Sequence, residues 1–271
     1  MFPLVVQIPG IELTGEKVFT ERLGILASRQ FMGIEYQVYD FEKEPAALVK
    51  SLAADFNLKV TRIATGSMAV KEKLSLSEGG DTGEKTIACL KNMADYAAEL
   101  GAGLILGFIK GTAGYDREKA SRQCAENLSA VAGYVLQKKL PLIIEATNHY
   151  ETSVAITLAE AVDLVKKISN SISLKEPSPL LEILPDTYHM NIEEVNTEAE
   201  LHKYSGYFKA IHFSDNNRYL PGYGAIDFKK TYAALAAENF SGYIGLEGNF
   251  KDLAQDIAMC CDLFSVIERG M

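Results

Sequence analysis

Short apolar runs alternate along the chain with longer segments whose apolar residues recur at three- and four-residue spacing. The runs cover residues 4–8, 33–40, 59–63, 103–108, 142–145, 180–184, 207–213 and 243–247. Their β-branched and aromatic content, and the turn residues around them, predict eight strands. The segments between predict helices. The clearest spans 82–100, where Ile87, Leu90, Met93, Ala94, Ala97 and Leu100 share one face and Gly101 stands at the stop. Others cover 17–28, 46–56 and 228–237, the last capped by Asp227, and a final helix runs to about Arg269. Cys124, Leu128, Val131 and Val135 mark a long helix capped by Asp116. Leu158, Val162, Val165 and Ile168 mark another, opened by the capping box Thr157-Leu158-Ala159-Glu160. Two short helices start near Asn191 and Thr197. Gly66 and Ser67 mark a loop, as do 110–114, 148–151, 214–224 and the acidic stretch 75–83.

Strict strand–helix alternation implies a parallel sheet. Eight units over 271 residues, with no break in composition, predict an α/β fold of the (β/α)8 TIM-barrel type, a single domain over residues 1–271. The rival is a doubly wound sheet, which the missing Gly-x-Gly-x-x-Gly after the first strand weakens.

Hydrophobic residues make up 48% of the chain, enough for one large core. A net charge of -9 without a basic stretch argues against a nucleic-acid partner. No apolar run approaches the roughly eighteen residues of a transmembrane helix, so no membrane partner is expected. The opening Met1-Phe2-Pro3-Leu4-Val5-Val6 lacks the basic segment and cleavage site of a signal peptide. Cys89, Cys124, Cys260 and Cys261 form no Cys-x-x-Cys pair and read as free thiols, so a cytoplasmic location is expected. Nothing in the sequence excludes a homo-oligomer.

Candidate chemistry sits at the ends of strands five to eight: Glu145, Asp186, His212 and Glu247. In a barrel of this type such ends line one rim. Alternation puts Ile143, Glu145 and Thr147 on one face, and likewise Phe208, Ala210 and His212, and Gly245, Glu247 and Asn249. Three converging carboxylates repel one another without a cation. With one imidazole they make a hard, oxygen-rich set suited to a single divalent ion: Mn²⁺ first, or Mg²⁺, Co²⁺ or a catalytic Zn²⁺.

Four stretches carry a family resemblance: Ile144-Glu145-Ala146-Thr147-Asn148-His149-Tyr150-Glu151; Asp186-Thr187-Tyr188-His189-Met190-Asn191; His212-Phe213-Ser214-Asp215-Asn216-Asn217-Arg218 with Pro221-Gly222-x-Gly224-x-Ile226-Asp227; and Gly242-Tyr243-x-Gly245-x-Glu247. Together they resemble the xylose-isomerase-like barrel superfamily, nearest to ketose 3-epimerases of the tagatose and psicose type. The resemblance implies that Glu145, Asp186, His212 and Glu247 ligate the metal and that Glu151, His189 and Arg218 hold substrate oxygens. It further implies that Glu145 and Glu247 are the catalytic pair, one on each side of the reacting carbon. The chemistry agrees. A divalent ion chelated by a sugar's carbonyl and hydroxyl oxygens stabilises an enediolate, one carboxylate removes the α proton, and a second returns it from the other face. The expected activity is a sugar epimerase or aldose–ketose isomerase, an isomerase acting on a small-molecule sugar. The alternatives are a cyclic-polyol ketone dehydratase of the inosose type, a hydroxypyruvate isomerase-like enzyme, or a non-catalytic sugar-binding barrel.

Several residues admit plainer readings. Arg218 could pair with Asp215, and Glu151 could be a helix-start charge. Glu35, mid-strand and inward, reads as a salt-bridge partner, while Glu182 shares the parity of Asp186 and would also point inward unless Pro185 breaks the register. His149 and His202 read as surface residues. Lys110 could meet a phosphate, although no phosphate-binding glycine loop surrounds it. The chain has no Trp, so aromatic packing on a sugar falls to Phe and Tyr, with Tyr188, Tyr219 and Tyr223 as candidates.

Overall fold

The computed structural model describes residues 2–112, 114 and 116–271; the predicted loop 110–114 falls outside that set at Ala113. Eight strands follow one another in the chain: β1 (Leu4–Pro9), β2 (Gly33–Gln37), β3 (Lys59–Ala64), β4 (Gly103–Leu106), β5 (Leu142–Glu145), β6 (Leu181–Leu184), β7 (Ala210–Phe213) and β8 (Tyr243–Leu246). All ladder pairs are parallel, in the order β6-β5-β4-β3-β2-β1-β8-β7. This is the predicted (β/α)8 TIM barrel, nearly closed. Among the described residues, the backbones across the gap between β6 and β7 meet past the end of β6, where the His212 N–H donates to the Pro185 carbonyl at 2.8 Å and Asp186 pairs with His212. Pro185 has no N–H to extend the ladder, so the seam holds through its carbonyl.

The strands are buried on both faces, as parallel barrel strands must be. Their outer faces pack on the helices. Helix Glu16–Ser28, for example, buries Phe19, Leu23 and Leu26, each worth roughly 1.5–3 kcal/mol. Inside the barrel, Ile105, Ile143, Leu184 and Ala210 form a small apolar cluster. Beside it lies a buried polar group: Arg62 pairs with Glu182 at 3.1 Å, lies 3.8 Å from Glu35 and stacks over Tyr243. The parity argument for Glu182 therefore holds, as does the salt-bridge reading of Glu35 in part.

Helix capping follows the sequence at Asp116, which accepts from Lys119 N–H, and at Thr157, which accepts from Glu160 N–H. Gly101 ends helix Gly80–Leu100 at φ +71°, a conformation glycine adopts at no cost. Other expectations need correction. β2 stops at Gln37, not residue 40, because the buried Glu44 carboxylate gathers the Tyr39 and Asp40 N–H groups and turns the chain. Gly66 and Ser67 begin a helix, Gly66–Glu72, rather than a loop. A one-turn helix at Ile11–Thr14 was not foreseen. The helix expected near Asn191 starts earlier, at Thr187. Asp227 makes no side-chain cap bond.

Candidate metal centre

Each of β5 to β8 delivers one donor to the same point. One ligand atom each from Glu145, Asp186, His212 and Glu247 lie within 4.8 Å of one another, at the C-terminal rim. Local structure explains the placement. Glu145 closes β5, and a Cβ at Gly107, the residue just after β4, would come 2.2 Å from its Oε2, so glycine there leaves the carboxylate room. Gly245 serves His212 in the same way, with 2.8 Å from a built Cβ to the ring. Asp186 also caps helix Thr187–Glu193, with one carboxylate oxygen accepting from Tyr188 N–H at 2.7 Å. Its other oxygen faces the cluster, 3.7 Å from His212 Nδ1.

The imidazole of His212 is fully buried and held from behind. Its Nε2 bonds Glu35 Oε2 at 2.7 Å, and Tyr243 O–H donates to the other Glu35 oxygen at 2.9 Å. A carboxylate on Nε2 fixes that proton and turns Nδ1 toward the cluster. Glu35 is thus more than a salt-bridge partner, a role hidden in the sequence because its histidine lies on β7. Burial opposes the charge on Glu35, but His212 and Arg62 outweigh it and lower its pKa. Burial likewise opposes protonation of His212, yet Glu35 and Glu247 drive its pKa well up. The Glu247 carboxyl is held below the usual range against burial by Arg218 and His212.

Of the eight buried side-chain polar atoms without a hydrogen-bond partner among the described residues, three belong to the cluster: Glu145 Oε1, His212 Nδ1 and Glu247 Oε2. They face one another, and His212 Nδ1 and Glu247 Oε2 meet as a close ion pair. Orphaned donors and acceptors are costly in a protein interior. A divalent ion would satisfy all three and offset the mutual repulsion of the carboxylates, so the donor set fits such an ion.

The three expected substrate contacts stand around the cluster. Arg218 donates to Asp186 at 2.7 Å and pairs with Glu247 at 2.8 Å. It does not pair with Asp215. That carboxylate instead accepts from the N–H groups of Asn216, Gly222, Gly224 and Ile226 and so orders the loop carrying Arg218. His189 is buried, and Asn148 N–H donates to its Nδ1 at 3.2 Å, which puts the ring proton on Nε2, 4.0 Å from Glu145. Glu151 Oε1 accepts from Asn148 at 3.2 Å. His149 and His202 are exposed, as expected. Lys110 cannot meet a phosphate. It is fully buried, its Nζ donates to the Glu145 carbonyl and to Thr147 Oγ1, and burial pushes its pKa down to about 8. Tyr188 stacks against Arg218, whereas Tyr223 bonds Asp256 and packs loops.

A cavity of about 440 Å³ opens beside the cluster. Glu145, Glu247, Glu151, His189 and Arg218 line it; Asp186 and His212 lie behind, fully buried. The lining also includes Gln7, Gln37, Tyr39, Val70 and Phe108, none of which the strand-end pattern singled out. No helix among the described residues is long and apolar enough to cross a membrane.

Known proteins share this architecture. The 3-dehydro-D-guloside 4-epimerase of Escherichia coli is 34% identical over 108 residues, 40% of this chain and 38% of that protein, so the alignment spans well under half of the relative. The ketose 3-epimerase of Arthrobacter globiformis is 26% identical over 231 residues, covering 79% of this chain and 77% of that enzyme. The D-psicose 3-epimerase of Clostridium cellulolyticum H10, solved with D-tagatose, superposes with a TM-score of 0.78 at 17% identity, over 98% of this chain and 99% of that one. The family model for the xylose isomerase-like TIM barrel matches residues 23–262. Sequence, barrel and strand-end cluster agree, and this chain belongs to the xylose isomerase-like TIM barrel family.

Proposed function

We infer that the protein is a divalent-metal-dependent epimerase of carbonyl sugars, inverting a carbon next to the carbonyl. The observation that carries this reading is the division of labour among the four donors. Glu145 and Glu247 open on the cavity, while Asp186 and His212 are sealed behind them. Two carboxylates that can touch both an ion and a substrate are what a two-sided proton transfer needs. The relatives' names fit: a ketose 3-epimerase and a 3-dehydro-sugar 4-epimerase both act one carbon from a carbonyl.

When bound, a divalent ion, Mn²⁺ in our reading, would be held by Glu145, Asp186, His212 and Glu247 and would acidify the C–H beside the carbonyl. One of Glu145 and Glu247 takes that proton, and the other delivers a proton to the opposite face. Arg218 clamps the Asp186 and Glu247 carboxylates in fixed orientation and keeps further N–H groups that can donate to substrate oxygens. His189, protonated on Nε2, offers a donor beside Glu145, and Glu151 accepts from a sugar hydroxyl.

The test is proton NMR in heavy water with Mn²⁺ and a panel of ketoses and keto-glycosides. Wild type should exchange the proton next to the carbonyl. Glu145→Gln and Glu247→Gln should each lower that exchange by about 10²–10⁴-fold without unfolding. Undiminished exchange in both variants would remove the assignment.

A further inference from the structure

The part of the cavity wall supplied by β1 and β2 is built differently, and it begins beside the cluster: Val6 pairs with Leu246, so Gln7 stands level with Glu247 on the neighbouring strand. Gln7 on β1 and Gln37 on β2 both point inward, and Gln37 Nε2 donates to Gln7 Oε1. Either assignment of the two amides leaves one NH₂ group and one carbonyl oxygen free for a ligand. Neither amide is among the buried polar groups without a partner, so their remaining capacity faces the cavity. A free donor beside a free acceptor matches hydroxyls, which both give and take a hydrogen bond. It does not match a phosphate or carboxylate, which only accepts and would meet the free carbonyl oxygen.

Charge points the same way. Arg218 is the one Lys or Arg among the described residues lining the cavity, and its charge is already shared between the Asp186 and Glu247 carboxylates. Three carboxylates, Glu145, Glu151 and Glu247, line the same space. Lys43 and Lys71 are not among the lining residues and are paired with Glu12 and Asp40. Beyond the amides the lining carries the apolar Leu13, Val70, Ile105 and Phe108 and only uncharged polar groups, those of Tyr39, Thr65, Ser67 and Thr147. Such a wall suits the C–H face of a sugar and gives a charged group no counterion.

We propose that Gln7 and Gln37 form a hydroxyl-reading subsite beside Glu247, which makes this chain selective for neutral carbonyl sugars over their phosphate esters. The proposal rests on the epimerase reading for the class of substrate; the binding preference itself needs no turnover.

The experiment uses the full Mn²⁺-loaded protein and four probes: D-fructose, D-fructose 6-phosphate, D-ribulose and D-ribulose 5-phosphate. Calorimetry gives Kd, and deuterium exchange gives KM and kcat. For at least one pair, the neutral sugar should bind tenfold or more tighter than its phosphate. Gln7→Leu and Gln37→Leu should each raise Kd and KM for that sugar about tenfold, with a smaller change in kcat and with Mn²⁺ affinity retained. Gln37→Arg should narrow or reverse the discrimination against the phosphate. Retained Mn²⁺ affinity and an unshifted melting temperature separate these effects from misfolding. Phosphates binding as well as the neutral sugars, unchanged Kd in both Leu variants, or no binding of any probe would each overturn the subsite. A neutral-sugar preference without exchange on any probe would instead remove the epimerase reading and leave the subsite standing.

Discussion

Removing Glu35 tests whether the cluster depends on support from behind. The carboxylate is fully buried, 2.7 Å from His212 Nε2, 2.9 Å from Tyr243 O–H and 3.8 Å from Arg62. In Glu35→Ala, His212 loses the acceptor that turns Nδ1 toward the other donors. Loss of such a carboxylate behind a metal histidine typically weakens the ion about 10–100-fold, or roughly 1.4–2.8 kcal/mol. The metal-free fold pays separately. Breaking a buried pair costs about 3–5 kcal/mol, but here Arg62 keeps Glu182 at 3.1 Å and Tyr243 keeps Thr61 at 3.4 Å, which places the loss near 3 kcal/mol. Glu35→Gln can still accept from Nε2 and lacks only the charge, so its metal affinity should fall about tenfold at most. Competition against a fluorescent chelator reads the first quantity, and urea unfolding in a chelating buffer reads the second. A folded Glu35→Ala protein that binds Mn²⁺ as tightly as wild type would refute the argument.

Two further changes probe the scaffold. Gly107→Ala places a methyl 2.2 Å from where Glu145 Oε2 now lies, so Glu145 must swing away. Metal titration should weaken about tenfold or more while unfolding stability changes little. Asp215→Ala strips the acceptor from four backbone N–H groups of the loop bearing Arg218. It should cost about 2–4 kcal/mol in urea unfolding and raise amide hydrogen exchange in residues 215–226.

The barrel was legible because its signal is repeated. Eight apolar runs with helices between them leave few alternatives, and errors of one or two residues at strand ends do not alter the count. The cluster was legible because Glu145, Asp186, His212 and Glu247 all occupy the same place in consecutive units. What escaped notice had no such periodic mark. Glu35 could be placed inward by parity, but nothing local names His212 as its partner across 177 residues. Gln7 and Gln37 are ordinary strand residues until the barrel closes and sets them in one cavity with the carboxylates. The helix at Gly66 lacks a side-chain cap because the Thr65 hydroxyl donates to the Ile105 carbonyl instead. Lys110 looked free because its acceptors, the Glu145 carbonyl and Thr147, lie on the next unit.

The join between β6 and β7 gives the rim cluster a second consequence. Asp186 belongs to one side of that join and His212 to the other, at the very residues whose backbones meet there. An ion gripped by both would act as a rivet across the least stitched edge of the cylinder. Loading should therefore slow local opening of the wall around residues 184–187 and 210–213 more than elsewhere, coupling mechanical closure of the scaffold to readiness for chemistry.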